Sequence, residues 1–213
     1  MKLENNQIRE EELERVEEAV FVIDMINGFV KFGKMSAPTI MRVVPFQQEI
    51  LEESENKPNS INVFGDDDHS NESVEFMTYN EHAHNDEEKK VISELERYKN
   101  NGLEFKKNST NLIFAPGFMQ FLDKLTNLKK VYIVGCLSEF CVEDFVRAIK
   151  CYFNQNNRNI EVCVYANGID TFNAPGHVAD KVTDNALNTM ESNGIKILKR
   201  VRKLNKEGDG IYE

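Results

Sequence analysis

Residues 131–145 read VYIVGCLSEFCVEDF, and this stretch decides the fold. Four apolar residues, Val131 to Val134, stop at Gly135. A short turn follows, and from Cys141 the apolar positions recur at helical spacing. The period therefore switches from a strand to a helix across a tight turn. A strand with no polar alternation is buried on both faces, as in parallel sheets covered by helices.

The same pattern recurs on either side. Ala19–Ile23, Ile61–Phe64, Leu103–Lys107, Ile160–Tyr165 and Ile195–Leu198 read as further strands. Candidate helices lie near 41–54, 86–99, 117–127, 139–154 and 177–193. This alternation predicts an α/β fold: a three-layer, Rossmann-like, doubly wound sheet of six mainly parallel strands in the order 3-2-1-4-5-6, with helices on both faces. Residues 1–18 form an acidic N-terminal extension, expected as an exposed helix. One domain spans 19–202, and 203–213 is expected to be a frayed C-terminal tail.

Composition narrows the function. The chain has 213 residues and a net charge of −10. That size suits one domain, and the charge disfavours nucleic acid and anionic membrane as partners. No apolar run approaches the ~20 residues of a membrane span, and the N-terminus lacks a secretory apolar core, so the cytoplasm is expected. Phosphate-cradling glycine loops are absent after every strand, so no nucleotide cofactor is expected. The four cysteines show no CxxC pair and read as thiols.

In open parallel sheets, sites form beyond the carboxyl ends of the strands. Asp24 follows the first strand, Asp66-Asp67-Asp68-His69 the second, Lys107 ends the third, and Cys141 opens the helix after the fourth. A helix N-terminus favours a thiolate, and a nearby ammonium favours it further. A carboxylate desolvated at a strand end takes the thiol proton and returns it to a leaving amine. Backbone N–H groups of the 136–141 turn are oxyanion donors. Together these parts suit acyl transfer through a thioester. Taken one at a time, each has a plainer reading: a core thiol, a helix cap, a solvated amine. Cys136 reads as structural, and Cys151 and Cys163 as core.

The acidic charge is concentrated. Residues 49–100 carry 15 acids and 5 Lys and Arg. Within that region Asp67, His69, Glu75 and His82 combine carboxylates with imidazoles, a donor set that suits Zn, Mn or Fe; a solvated acidic loop is the alternative. Phe29, Phe114, Phe118 and Phe140 flank the same segments; Phe29 and Phe114 are taken as candidate substrate contacts, although core packing is the commoner use of such residues.

VFVIDMINGF, KKNSTNLIF and VYIVGCLSEFCVEDF, in that order, resemble the isochorismatase-like cysteine hydrolases, which include nicotinamidases. The resemblance covers roughly Ala19 to Lys199. It implies Asp24 as base, Lys107 as the charge-stabilising amine and Cys141 as nucleophile. Lys107 is chosen over Lys106 because it directly precedes the Asn-Ser-Thr-Asn turn, and strand alternation lets only one of the two face the site. The resemblance also implies a cis peptide between Cys136 and Leu137, and an oxyanion hole from the N–H groups of Leu137 and Cys141. It implies a divalent metal, with zinc first, held by Asp67, His69 and His82 with Glu75 as a fourth ligand.

Three departures bear on the metal and the substrate. Ile26 stands where the family has Gln; no Pro precedes the last metal His in TYNEHAHND; and the Cys and Gly-Thr usual after that His are missing. His84 is therefore an alternative to His82. His177 reads as a cap or surface residue. The expected function is cleavage of a small-molecule amide, nicotinamide first, by a protein expected to be a homo-oligomer. The alternatives are a metal-independent amidohydrolase acting on a carbamoyl or ureido compound and a non-catalytic binding member. An isochorismatase proper ranks lower, because those enzymes do not need the cysteine.

Overall fold

The computed structural model describes residues 10–199, 202–204 and 210–212. Strands β1 (Glu18–Ile23), β2 (Ser60–Asp67), β3 (Leu103–Lys107), β4 (Lys130–Cys136), β5 (Glu161–Asp170) and β6 (Lys196–Leu198) form one sheet. Its order is β3-β2-β1-β4-β5-β6, and every neighbouring pair is parallel. This is the doubly wound α/β architecture that the apolar runs predict.

β1 buries both of its faces, which is why it does not alternate with polar residues. Ala19, Phe21 and Ile23 of β1 join a core with Phe118 and Phe121 of α5 (Phe118–Lys124), Phe145 and Ile149 of α6 (Glu143–Gln155) and Met190 of α7 (Ala179–Ser192). Val20 and Val22, one residue out of phase, join a second core on the opposite face. There they meet Phe29 of the short α2 (Asn27–Val30), Phe46 and Leu51 of α3 (Val44–Glu55) and Tyr98 of α4 (Glu96–Asn100).

Three expectations need correction. The helix expected over 86–99 shrinks to α4, because residues 81–95 run as turns that carry Ala83 and Val91 into the second core. The exposed N-terminal helix is, in its described part, one turn (Glu10–Leu13), and Leu13 and Val16 are buried against the first core; residues 1–9 lie outside the described residues. The tail expected to fray holds two short antiparallel strands, Arg202–Leu204 and Gly210–Tyr212.

Two glycines let the strand ends close up at the site. A Cβ on Gly135 would lie 2.2 Å from the Ile23 carbonyl oxygen, and its φ of +136° suits glycine alone. A Cβ on Gly65 would lie 2.5 Å from Leu112. Ile23 is in register with both Gly65 and Gly135, so β1 ends pinched between its neighbours.

Candidate active site

Asp24 follows directly on the pinched end of β1. Its backbone sits at φ +53°, a region short polar residues enter more readily than others, and its N–H donates to Gly65 O at 3.0 Å. The carboxylate is fully buried. Its Oδ1 accepts the Asp67 N–H at 2.8 Å, and its Oδ2 lies 2.8 Å from Lys107 Nζ.

Lys107 ends β3 in register with Asp67 at the end of β2. Its ammonium bridges Asp24 and Asp67, with all three side chains out of solvent. Lys106 points the other way, one-third exposed, with Nζ 2.9 Å from Glu104 Oε1. Period-two alternation thus separates the two lysines.

Cys141 lies in the turn after β4. The Cys136–Leu137 peptide is cis, and the following one-turn helix, Ser138–Val142, breaks at Phe140 (φ −111°, ψ −105°). This irregular turn sets Cys141 just ahead of α6. Its sulfur and one carboxylate oxygen each of Asp24 and Asp67 fall within 4.8 Å of one another. Cys136, next door, donates its thiol to Asp24 O at 3.1 Å and so holds backbone.

Burial dominates the electrostatics. Desolvation, then the Asp67 charge, pushes Asp24 up to about 6, although Lys107 and the Cys141 thiol pull it down. Desolvation also holds the Cys141 thiol well above its usual range, opposed by Lys107. Burial would depress Lys107, but the Asp24 and Asp67 carboxylates hold its ammonium well above the ordinary lysine value. For Asp67, burial is outweighed by Lys107 and the two imidazoles beside it, which keep it ionised far below the usual carboxylate range.

Those imidazoles belong to His69 and His82. Asp67 turns Oδ1 to Lys107 and Oδ2 to the histidines, 3.4 Å from His69 Nε2 and 3.7 Å from His82 Nε2. His69 Nδ1 lies 2.9 Å from Asn108 Oδ1, and His82 Nδ1 lies 2.7 Å from Asn80 O. Acceptors at both Nδ1 atoms hold a proton there and turn both Nε2 atoms toward Asp67. His69 Nε2 is buried without a hydrogen-bond partner. A buried, unpaired nitrogen beside a second imidazole and a carboxylate is the donor set of a divalent cation. Glu75 stands farther out: its Oε2 is 3.7 Å from His69 Nε2, and its Oε1 accepts the Thr110 N–H. His84 is elsewhere, 3.8 Å from Glu88. His177 stacks flat on Phe172 and meets Glu139 Oε1 at 2.8 Å.

A cavity of about 90 Å³ opens over these groups. Cys141 and Leu137 line it, together with the polar Asp67, His82 and Glu75 and with Phe29, Phe140, Tyr79, Met35 and Phe172. Phe29 is thus where its candidacy requires. Phe114 is not: it is 76% exposed, because the Leu112–Phe114 turn buries only Leu112, under Gly65. Cys151 likewise faces solvent on α6 instead of the core. Tyr79, Met35, Phe172 and Thr110 escaped the sequence reading, since they sit in loops with no periodic signal.

An isochorismatase domain model matches residues 18–200. No curated protein matches the chain by sequence. Solved structures do match by fold. An isochorismatase-like hydrolase from Alkaliphilus metalliredigens is 18% identical with a TM-score of 0.71, over 86% of this chain and 95% of that one. A pyrazinamidase from Pyrococcus horikoshii in complex with zinc is 21% identical at TM-score 0.67, over 86% and 99%. An N-carbamoylsarcosine amidase from Thermoplasma acidophilum is 19% identical at TM-score 0.69, over 86% and 96%. Among the described residues no helix is long and apolar enough to cross a membrane.

Proposed function

The chain belongs to the isochorismatase family of hydrolases, and from that premise we propose that it cleaves the amide of a small molecule through Cys141, Asp24 and Lys107. Nicotinamide, giving nicotinate and ammonia, is the substrate put first. The observation that carries this reading is a thiol that lines the cavity, backed by a buried carboxylate and ammonium brought to it from two other strand ends.

In this mechanism Asp24 removes the Cys141 proton as the substrate carbonyl arrives. The thiolate forms a bond to the carbonyl carbon, and Lys107 balances the charge left in the crevice. The N–H groups of Leu137 and Cys141 receive the oxyanion. Protonated Asp24 gives its proton to the departing nitrogen as the carbon–nitrogen bond breaks. Asp24 then takes a proton from water, which cleaves the thioester and restores the thiol. An Asp pushed up to about 6 suits both directions of transfer near neutral pH.

Asp67, His69 and His82 would hold a divalent cation, with Glu75 beside them. Zinc fits nitrogen and carboxylate donors best, and manganese or iron also fits. When bound, the ion supplies a Lewis acid that anchors an electron pair of the substrate. Phe29, Phe140 and Phe172 offer flat apolar walls to a ring.

A second reading, a carbamoyl amidohydrolase, draws support from the fold shared with the N-carbamoylsarcosine amidase. Ammonia release from nicotinamide, pyrazinamide and N-carbamoyl amino acids, with Cys141→Ala beside the unaltered protein, tests both. Turnover that survives Cys141→Ala rejects the thioester route.

A further inference from the structure

We propose that the catalytic cavity continues into an outer subsite that binds a neutral, hydrogen-bonding extension of the substrate, so that the preferred amide carries a polar tail. This deepens the amidase reading and rests on it.

A second concavity, of about 430 Å³, abuts the first, and Met35 and Phe172 line both. Those two side chains therefore form an apolar collar between the two spaces. The inner one is small and walled mainly by aromatic and aliphatic groups; the outer one presents Ser36, Thr39, Asn80 and Asn173. A ligand that filled the inner space alone would leave these polar groups facing water.

The collar and the outer wall are tied to the catalytic groups. Phe29, on the inner wall, leads into the 34–39 segment through Gly33 at φ +119°, and Ala37 N–H returns to Phe29 O at 2.8 Å. Asn80, in the outer wall, accepts His82 Nδ1 on its carbonyl at 2.7 Å. Phe172 lies flat on His177, at 4.0 Å between ring centres, and His177 meets Glu139 of the nucleophile turn.

Charge selects the tail. Among the described residues Lys34 is the one ionic side chain lining the outer space, and Glu81 already pairs with it at 2.6 Å. Ser36 donates to Gly33 O, and Asn173 caps the Ala179 N–H. The Thr39 hydroxyl and the Asn80 side-chain amide have no partner among the described residues, and between them they both donate and accept. A hydroxyl, amide or ureido group matches that pair; an ion does not.

The test uses nicotinamide, 5-ureidonicotinamide, its apolar isostere 5-isobutylnicotinamide and 5-carboxymethylnicotinamide. The ureido compound should exceed the isobutyl and carboxymethyl compounds in kcat/KM by about tenfold, the scale of one or two well-made hydrogen bonds. Thr39→Trp, which intrudes on the outer space and removes the hydroxyl, should erase that preference in a protein whose circular dichroism and unfolding midpoint match those of the unaltered one. No ureido preference, a stronger preference for the carboxymethyl compound, or a preference intact in Thr39→Trp would overturn the subsite. Binding of the same compounds to the Cys141→Ala protein by calorimetry separates the two readings. Ureido-selective binding lost in Thr39→Trp upholds the subsite even where no amide is turned over, an outcome that sinks only the amidase.

Discussion

Lys107 Nζ lies 2.8 Å from Asp24 Oδ2, with both side chains excluded from solvent. The same ammonium also meets Asp67. One buried cation thus answers two buried carboxylates.

Removing the cation should be costly to the fold. Lys107→Met leaves Asp24 and Asp67 facing each other without a counter-charge, a change expected to cost about 3–5 kcal/mol. Urea unfolding measures it. Adding Asp24→Asn should recover part of the loss, since one of the two orphaned charges is gone. A single variant as stable as the unaltered protein would contradict the ion triad.

The pH dependence follows from Asp24. Burial and the Asp67 charge push it up to about 6, and it accepts the thiol proton only as a carboxylate. Activity must therefore be lost as pH falls through that value and retained above it. Below pH 6, kcat/KM should drop by about tenfold per unit. Amidase assays between pH 4.5 and 8 give the profile; a flat acid limb rules Asp24 out as the base.

The cation site distinguishes two neighbouring histidines. His82 faces Asp67 and His84 faces Glu88. After loading with zinc and desalting, His69→Ala and His82→Ala should lose the metal, and His84→Ala should keep it. Asn108→Leu, which removes the nearer partner of His69 Nδ1 and leaves only the Ser73 hydroxyl at 3.2 Å, should weaken binding by about tenfold. Elemental analysis and competition with a chelator supply the readout. Metal retained in His82→Ala and lost in His84→Ala would reverse the assignment.

Gly135→Ala tests the pinch at the strand ends. The new Cβ meets the Ile23 carbonyl at 2.2 Å on a backbone that disfavours side chains. The expected loss is at least about 2 kcal/mol. Gly176 also has a positive φ but nothing within 4 Å, so Gly176→Ala should cost clearly less. Equal losses in the two would leave the close approach without effect.

Much of this was legible in the chain. Unbroken apolar runs such as Ala19–Ile23 are too short for helices and read as strands buried on both faces, and the residues at the strand ends include Asp24, Asp67 and Lys107. The turn after Val134 named Cys141. Acidic density hid a different fact: residues 86–99 read as a helix, yet 81–95 run as turns that carry Ala83 and Val91 into the second core, and only Glu96–Asn100 is helical. Phe114 looked like a substrate contact because it flanks the segment that carries Lys107, but the Leu112–Phe114 turn buries only Leu112. The walls contributed by Met35, Tyr79 and Phe172 had no signature at all, for loops are placed by the sheet they connect and not by their own period.

Asp67 gives one oxygen to the ammonium of the thiol centre and the other to the imidazole pair. Chelation would therefore do more than empty a pocket. Stripped of its ion, the second oxygen would regain full negative charge a few ångströms from the base, and the sulfur's proton acceptor would become harder to ionise. Metal depletion should register as a shifted titration of the nucleophile's partner, not merely as weaker capture of substrate.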